Sequence, residues 1–106
     1  MPTFDDREKG FENKYAHDKE LEFKVMARRN KLLGLWAAGQ MGIKGTAADV
    51  YAREVIEADF AQAGDEDVFA KVWKDLQAKK VQVSEHRLRK QMTDLLAEAR
   101  AQVMKE

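Results

Sequence analysis

The 106-residue chain contains no cysteine. A disulfide framework, a zinc–thiolate centre and a thiol nucleophile are thereby excluded. Proline is almost as scarce: the one proline is Pro2, so nothing of that kind interrupts a helix from residue 3 onward. β-branched residues are few, whereas Ala, Leu, Glu, Lys and Gln are common, a composition that favours helices over strands. The longest apolar run is Leu35 to Ala38, far short of the roughly 20 residues that span a bilayer. With a polar N-terminus and no secretory leader in view, a cytoplasmic protein without direct membrane insertion is expected. Charge of one sign is lacking too. The 19 basic and 19 acidic residues cancel, which argues against a nucleic-acid binder, because neutralising phosphates requires a basic excess.

The charge that is present is unevenly distributed. Residues 1–20 carry four basic and six acidic side chains, residues 21–45 carry five and one, and residues 46–64 carry one and four. The basic stretch coincides with the most regular helical pattern, LEFKVMARRNKLLGLWAA from Leu21 to Ala38. There Leu21, Val25, Leu32 and Trp36, widened by Met26, Leu33 and Leu35, form an apolar stripe, with Lys24, Arg28, Arg29 and Lys31 on the polar side. Two readings are open for these cations: mutual neutralisation within one bundle, or an outward basic patch for an acidic partner.

Downstream, Gly39, Gly42 and Gly45 mark a helix stop and a loop. Thr46 is expected to cap a second helix carrying Tyr51, Val55 and Ala58, with Ala52, Ile56 and Phe60 beside them. Gly64 closes that helix, and Asp65 is expected to cap a third with Val68, Phe69, Val72, Trp73 and Leu76 on its buried face. The linker from Lys79 to Val83 leads to Ser84, the cap of a last helix with Leu88, Met92, Leu95, Leu96, Ala99 and Val103 at near-heptad spacing. The fold class is therefore all-α: a four-helix bundle over residues 18–106, preceded by a mobile N-terminal arm over residues 1–17.

The arm differs in kind. Phe4, Phe11 and Tyr15 fall within about 40° of one another at 100° per residue, but the stripe is thin, surrounded by charge and interrupted by Gly10. Burying three rings contributes roughly 5 to 9 kcal/mol, against about 1 to 2 kcal/mol of backbone entropy for each residue ordered. Alone, the arm is expected to be disordered or partly helical. Either its aromatics fold back on the bundle, or they anchor it in a partner's groove as it folds on binding.

Sites of chemistry are sparse. GQMGIKGT, Gly39 to Thr46, transposes the Gly and Lys of a phosphate loop and follows a helix rather than a strand, so a Walker motif is rejected. His17 and His86 lack further ligands at metal-binding spacing. Asp5, Asp6 and Glu8 sit in a segment too mobile for acid and base catalysis. No enzyme, cofactor or metal site is expected.

Two blocks, FDDREKGFENKYAHDKELEFK (Phe4 to Lys24) with ARRNKLLGLWAA (Ala27 to Ala38), and DVYAREVIEADFAQAGDEDVFAKV (Asp49 to Val72), resemble the zeta inhibitor subunits of alphaproteobacterial F-type ATP synthases. Gly10 and Tyr15 depart from that family's pattern, where alanine and phenylalanine are usual. The resemblance implies a protein that is a monomer when free and that inhibits ATP hydrolysis. Its N-terminal arm would insert at a catalytic α/β interface near the γ shaft and block rotation in the hydrolysis direction. Phe4, Phe11 and Tyr15 would then be anchors, and Asp5, Asp6, Arg7 and Lys14 charge partners at the rim. The protein would sit at the periphery of the inner membrane through the synthase. The alternative is a regulatory bundle that binds ATP or ADP weakly, with phosphate contacts from Arg28, Arg29, Lys31 and Lys44.

Overall fold

The computed structural model describes the backbone of residues 2–61 and 64–106, and the side chains of residues 19–60 and 64–106. Four helices follow one another: α1 (Pro2–Gln40), α2 (Thr46–Ala61), α3 (Asp65–Ala78) and α4 (Glu85–Lys105). The boundary expected at His17 falls inside α1, whose helical backbone runs through it. The side chains of the arm lie outside the described residues.

Cross-helix partners fix the topology. Phe23 stacks on Phe60 and Gly34 faces Ala52, so α1 and α2 are antiparallel. Tyr51 meets Asp75 and Glu54 meets Lys71, which makes α2 and α3 antiparallel as well. Leu33 shares a buried cluster with Leu88 and Met92 near the start of α4, and Val25 shares one with Ala99 and Val103 near its end. Thus α4 runs back along α1, and the bundle is up-down-up-down.

The core selects a line slightly different from the one expected. Along α1 the buried positions are Val25, Arg29, Leu33 and Ala37, spaced four apart, with Asn30, Gly34 and Ala38 beside them, while Leu21, Leu32 and Trp36 are only half-buried at the edges. An arginine expected on the polar side occupies the buried stripe. In α2, Tyr51, Ala52 and Val55 are buried and Ala58 is half-buried, but Phe60, expected beside them, is exposed and stacks on the equally exposed Phe23 of α1. The buried face of α3 (Val68, Phe69, Val72, Leu76) and that of α4 (Leu88, Met92, Leu95, Ala99, Val103) follow the expected spacing, but Trp73 and Leu96, expected on them, are only half-buried at their edges.

The helix ends show how the short connections work. Beyond Gln40 the chain turns at Gly42, φ 75°, with Gly42 N–H donating to Gly39 O at 3.2 Å and Ile43 N–H to Ala38 O at 2.8 Å. These two bonds satisfy the last carbonyls of α1 and need a left-handed residue that glycine supplies without steric cost. The same pattern closes α3, with Lys80 at φ 58° as the left-handed residue. Ser84 caps α4 as expected, its Oγ accepting from Arg87 N–H at 3.0 Å. The other two caps are displaced by one residue. Thr46 is the first residue of α2, and Gly64 holds the position before α3, leaving the Asp65 carboxylate available for another helix.

Gly34 sets the spacing of α1 and α2. A Cβ built there would stand 2.6 Å from Ala52 Cα and 3.1 Å from Ala52 Cβ. Both are parts of a rigid helix, so neither yields cheaply. Gly34→Ala gains about 1 kcal/mol of helix propensity but loses about 1 to 3 kcal/mol to overpacking, and the backbone clash puts the balance on the losing side. Urea unfolding should show a lowered midpoint; a midpoint at or above the wild-type value would contradict the close approach.

Between α2 and α3, the Tyr51 hydroxyl donates to Asp75 Oδ2 at 2.8 Å, and Lys71 pairs with the same carboxylate at 2.8 Å and with Glu54 at 3.3 Å. Burial, then the hydrogen bond to Asp75, pushes the Tyr51 phenol far above its ordinary value of 10.0. A phenol raised in the folded state contributes stability that is complete below pH 10.0 and is lost as the pH climbs above it, because the unfolded chain releases the proton first. Denaturant unfolding between pH 8 and 11 should therefore show a steeper alkaline loss for the wild type than for Tyr51→Phe. Equal slopes would remove Tyr51 from the account.

Candidate partner-binding surfaces

The cations read from the sequence as one basic face divide three ways. Arg29 is 1% exposed. Its Nε donates to Asn30 Oδ1 at 2.8 Å, and a terminal nitrogen donates to Asp65 Oδ1 at 2.7 Å. Asn30 in turn donates to Asp59 Oδ2 at 3.1 Å, and the other oxygen of Asp59 accepts from Gly64 N–H at 3.4 Å. This chain of bonds ties the middle of α1 to the turn between α2 and α3. It satisfies a guanidinium that would otherwise be buried without partners, which is costly. Arg28 faces α4, donating to Gln102 Oε1 at 2.9 Å and to Glu106. Glu22 accepts from Arg100 on the same helix pair at 2.7 Å. Lys24, Lys31 and Arg53 make no ion pair among the described residues and border a groove between α1 and α2.

Of the four residues that could hold a phosphate, Arg28 and Lys31 line one depression of about 360 Å³, with Phe23, Lys24 and Ile56. Arg29 is committed to Asp65 and Asn30. Lys44 lies in the loop between α1 and α2 and borders neither of the depressions that Lys31 lines. The four are therefore not assembled around one point. The arm residues Phe4, Asp5, Asp6, Arg7, Phe11, Lys14 and Tyr15 have side chains outside the described residues. The backbone that carries them is the first half of α1.

Sequence reasoning missed the exposed pair Phe23 and Phe60, whose rings stack with centroids 5.4 Å apart and planes at 30°. The available signal was an aromatic on the charged side of α1. Among the described residues no group of three or more His, Cys, Asp or Glu could hold a metal ion. No helix among them is long and apolar enough to cross a membrane.

Asp65 is 56% exposed, yet removing it would leave Arg29 buried without its carboxylate. Asp65→Ala should cost about 2 kcal/mol, the range for a hydrogen bond to a charged group, whereas Asp94→Ala, in an exposed pair with Lys90, should change stability by about 0.5 kcal/mol or less. Thermal unfolding of the two variants checks this; equal losses would show that Arg29 does not need Asp65.

The comparisons with known proteins agree with this architecture. A solved solution NMR structure is similar to the chain, with 47% sequence identity and a TM-score of 0.71, over 80% of this chain and 96% of that one. No curated protein matches. The family model described as ATPase inhibitor subunit zeta matches residues 1–102, nearly the whole length over which the four helices are built, and the chain belongs to that family of ATPase inhibitors.

Proposed function

We propose that the first half of α1 is the inhibitory element, acting on the catalytic head of the F-type ATP synthase. The supporting observation is the mismatch of helix lengths. α1 has 39 residues, but α2 and α4 have 16 and 21. The last described side chain of α2, Phe60, stacks on Phe23, and Glu106 at the end of α4 reaches Arg28. Among the described residues the three shorter helices support α1 from about Leu21 onward, and the segment carrying Phe4, Phe11 and Tyr15 precedes that stretch.

An amphipathic helix without packing partners is marginal in water. It gains order when walls supplied by another protein bury its aromatic stripe. On this reading the arm enters a catalytic α/β interface next to the γ shaft, where Phe4, Phe11 and Tyr15 anchor it and Asp5, Asp6, Arg7 and Lys14 pair at the rim. The interface that has closed on the wedge cannot reopen in the hydrolysis order, so rotation in that direction stops while synthesis continues. The bundle stays outside, at the periphery of the membrane-bound synthase.

A chain lacking residues 1–18 retains all the buried residues among those described and the whole Arg29 network. It should remain helical and fold cooperatively, yet fail to inhibit steady-state ATP hydrolysis at concentrations where the full chain inhibits completely. Undiminished inhibition by the shortened chain would rule the arm out as the effector.

A further inference from the structure

The groove between α1 and α2 has the composition of a docking site. At one end Phe23 and Phe60 are each 59% exposed and stacked. From there a depression of about 360 Å³ and a second of about 430 Å³ follow one another, sharing Lys31 and Ile56. From Phe23 to Lys31 the groove runs about 12 Å along α1, two helical turns. Phe23, Ala27, Ala52, Ile56 and, from the end of α4, Val103 give it apolar lining, and Lys24, Arg28, Lys31 and Arg53 give it positive charge. The acidic residues on it are Asp49 and Glu106, and Glu106 is taken by Arg28. Single exposed apolar residues are ordinary, but a stacked aromatic pair continuous with an apolar, cation-rimmed groove is the mix that partner interfaces favour.

We propose that this groove seats a short acidic amphipathic helix on the outside of the ATPase catalytic head, holding the bundle to the enzyme while the arm acts within. The inference rests on the inhibitory reading above and names the second contact that reading requires. Charge complementarity identifies the occupant. An apolar ridge on the partner fills the floor, and carboxylates on its flanks meet Lys24, Lys31 and Arg53, which have no ion-pair partner among the described residues. The chain's own acidic, aromatic arm is the rival occupant, and the free chain tests it: groove amides that shift when residues 1–18 are removed would seat the arm there and overturn the proposal. The groove opens beside Phe23, close to where α2 and α4 begin to support α1 among the described residues, so a partner seated there lies next to the point where the arm departs.

The test uses full-length chains and the intact catalytic head, reading association kinetics and ATP hydrolysis separately. Lys31→Glu with Arg53→Glu should slow association about tenfold and flatten its dependence on salt, since rim charges steer encounter. Phe60→Ser should mainly speed dissociation. All three positions are exposed, so circular dichroism and melting temperature should stay at wild-type values. If both variants bind within twofold of the wild type, the groove is not the docking site. If the wild type binds through the groove without inhibiting, the docking inference stands and the inhibitory reading falls; if it does not bind, both fall. Saturable amide shifts in the groove with ATP or ADP alone, competing with the head, would make it a nucleotide pocket and overturn the proposal. So would a concentration-dependent dimer abolished by the same variants.

Discussion

A long helix can be buried only as far as its neighbours reach, and among the described residues they reach α1 from about Leu21 onward. α2, α3 and α4 are 16, 14 and 21 residues long and enclose the second half of a helix of 39. Their hold on it depends on two close fits. Gly34 lets the α2 backbone approach, and Arg29 pins the buried stripe to Asp65 and, through Asn30, to Asp59 at the turn between α2 and α3. With that half fixed, the arm leaves the bundle at a defined point, and on the proposed reading its own order is left to what it binds.

Such a construction separates the cost of positioning from the cost of binding. A free peptide of about 17 residues would lose both its conformational freedom and its freedom of orientation when it entered a cleft. Attached to a folded bundle, it has part of that orientation already restricted. A second contact by the bundle would raise the effective concentration of the arm at its cleft further, as linked binding modules do. The zeta family is a family of ATPase inhibitors, and on the reading proposed above its arm must withstand force rather than merely occupy a surface. A wedge that continues into a packed bundle is suited to that.

Much of the fold was legible because its signals are local and redundant. α3 and α4 announced their buried faces by spacing, and Ser84 announced its cap, since each is decided within a few residues. Arg29 was misread because its solution is tertiary. The partner that makes an arginine tolerable in the buried stripe is 36 residues away on α3, and no helical period discloses it. Phe60 was misread for the converse reason: its spacing fits the buried face of α2, but its ring stacks on Phe23 at the rim of the bundle, where both stay exposed. Gly34 carries no signal of its own within the helical pattern of α1, yet it is the contact that sets an interhelix distance. The basic character of α1 was visible, but its division into a buried pair, a link to α4 and a set of unpaired rim cations needed coordinates.

Hydrogen–deuterium exchange of residues 1–17, measured in the free chain and bound to the catalytic head, tests most directly whether the arm takes its order from the enzyme. Amides that exchange almost freely in solution, and that slow by orders of magnitude on binding while residues 21–40 stay protected throughout, are the expected outcome. Equal protection of residues 1–17 in both states would contradict it, because the arm would then hold its shape without the enzyme and its coupled folding could not be the brake.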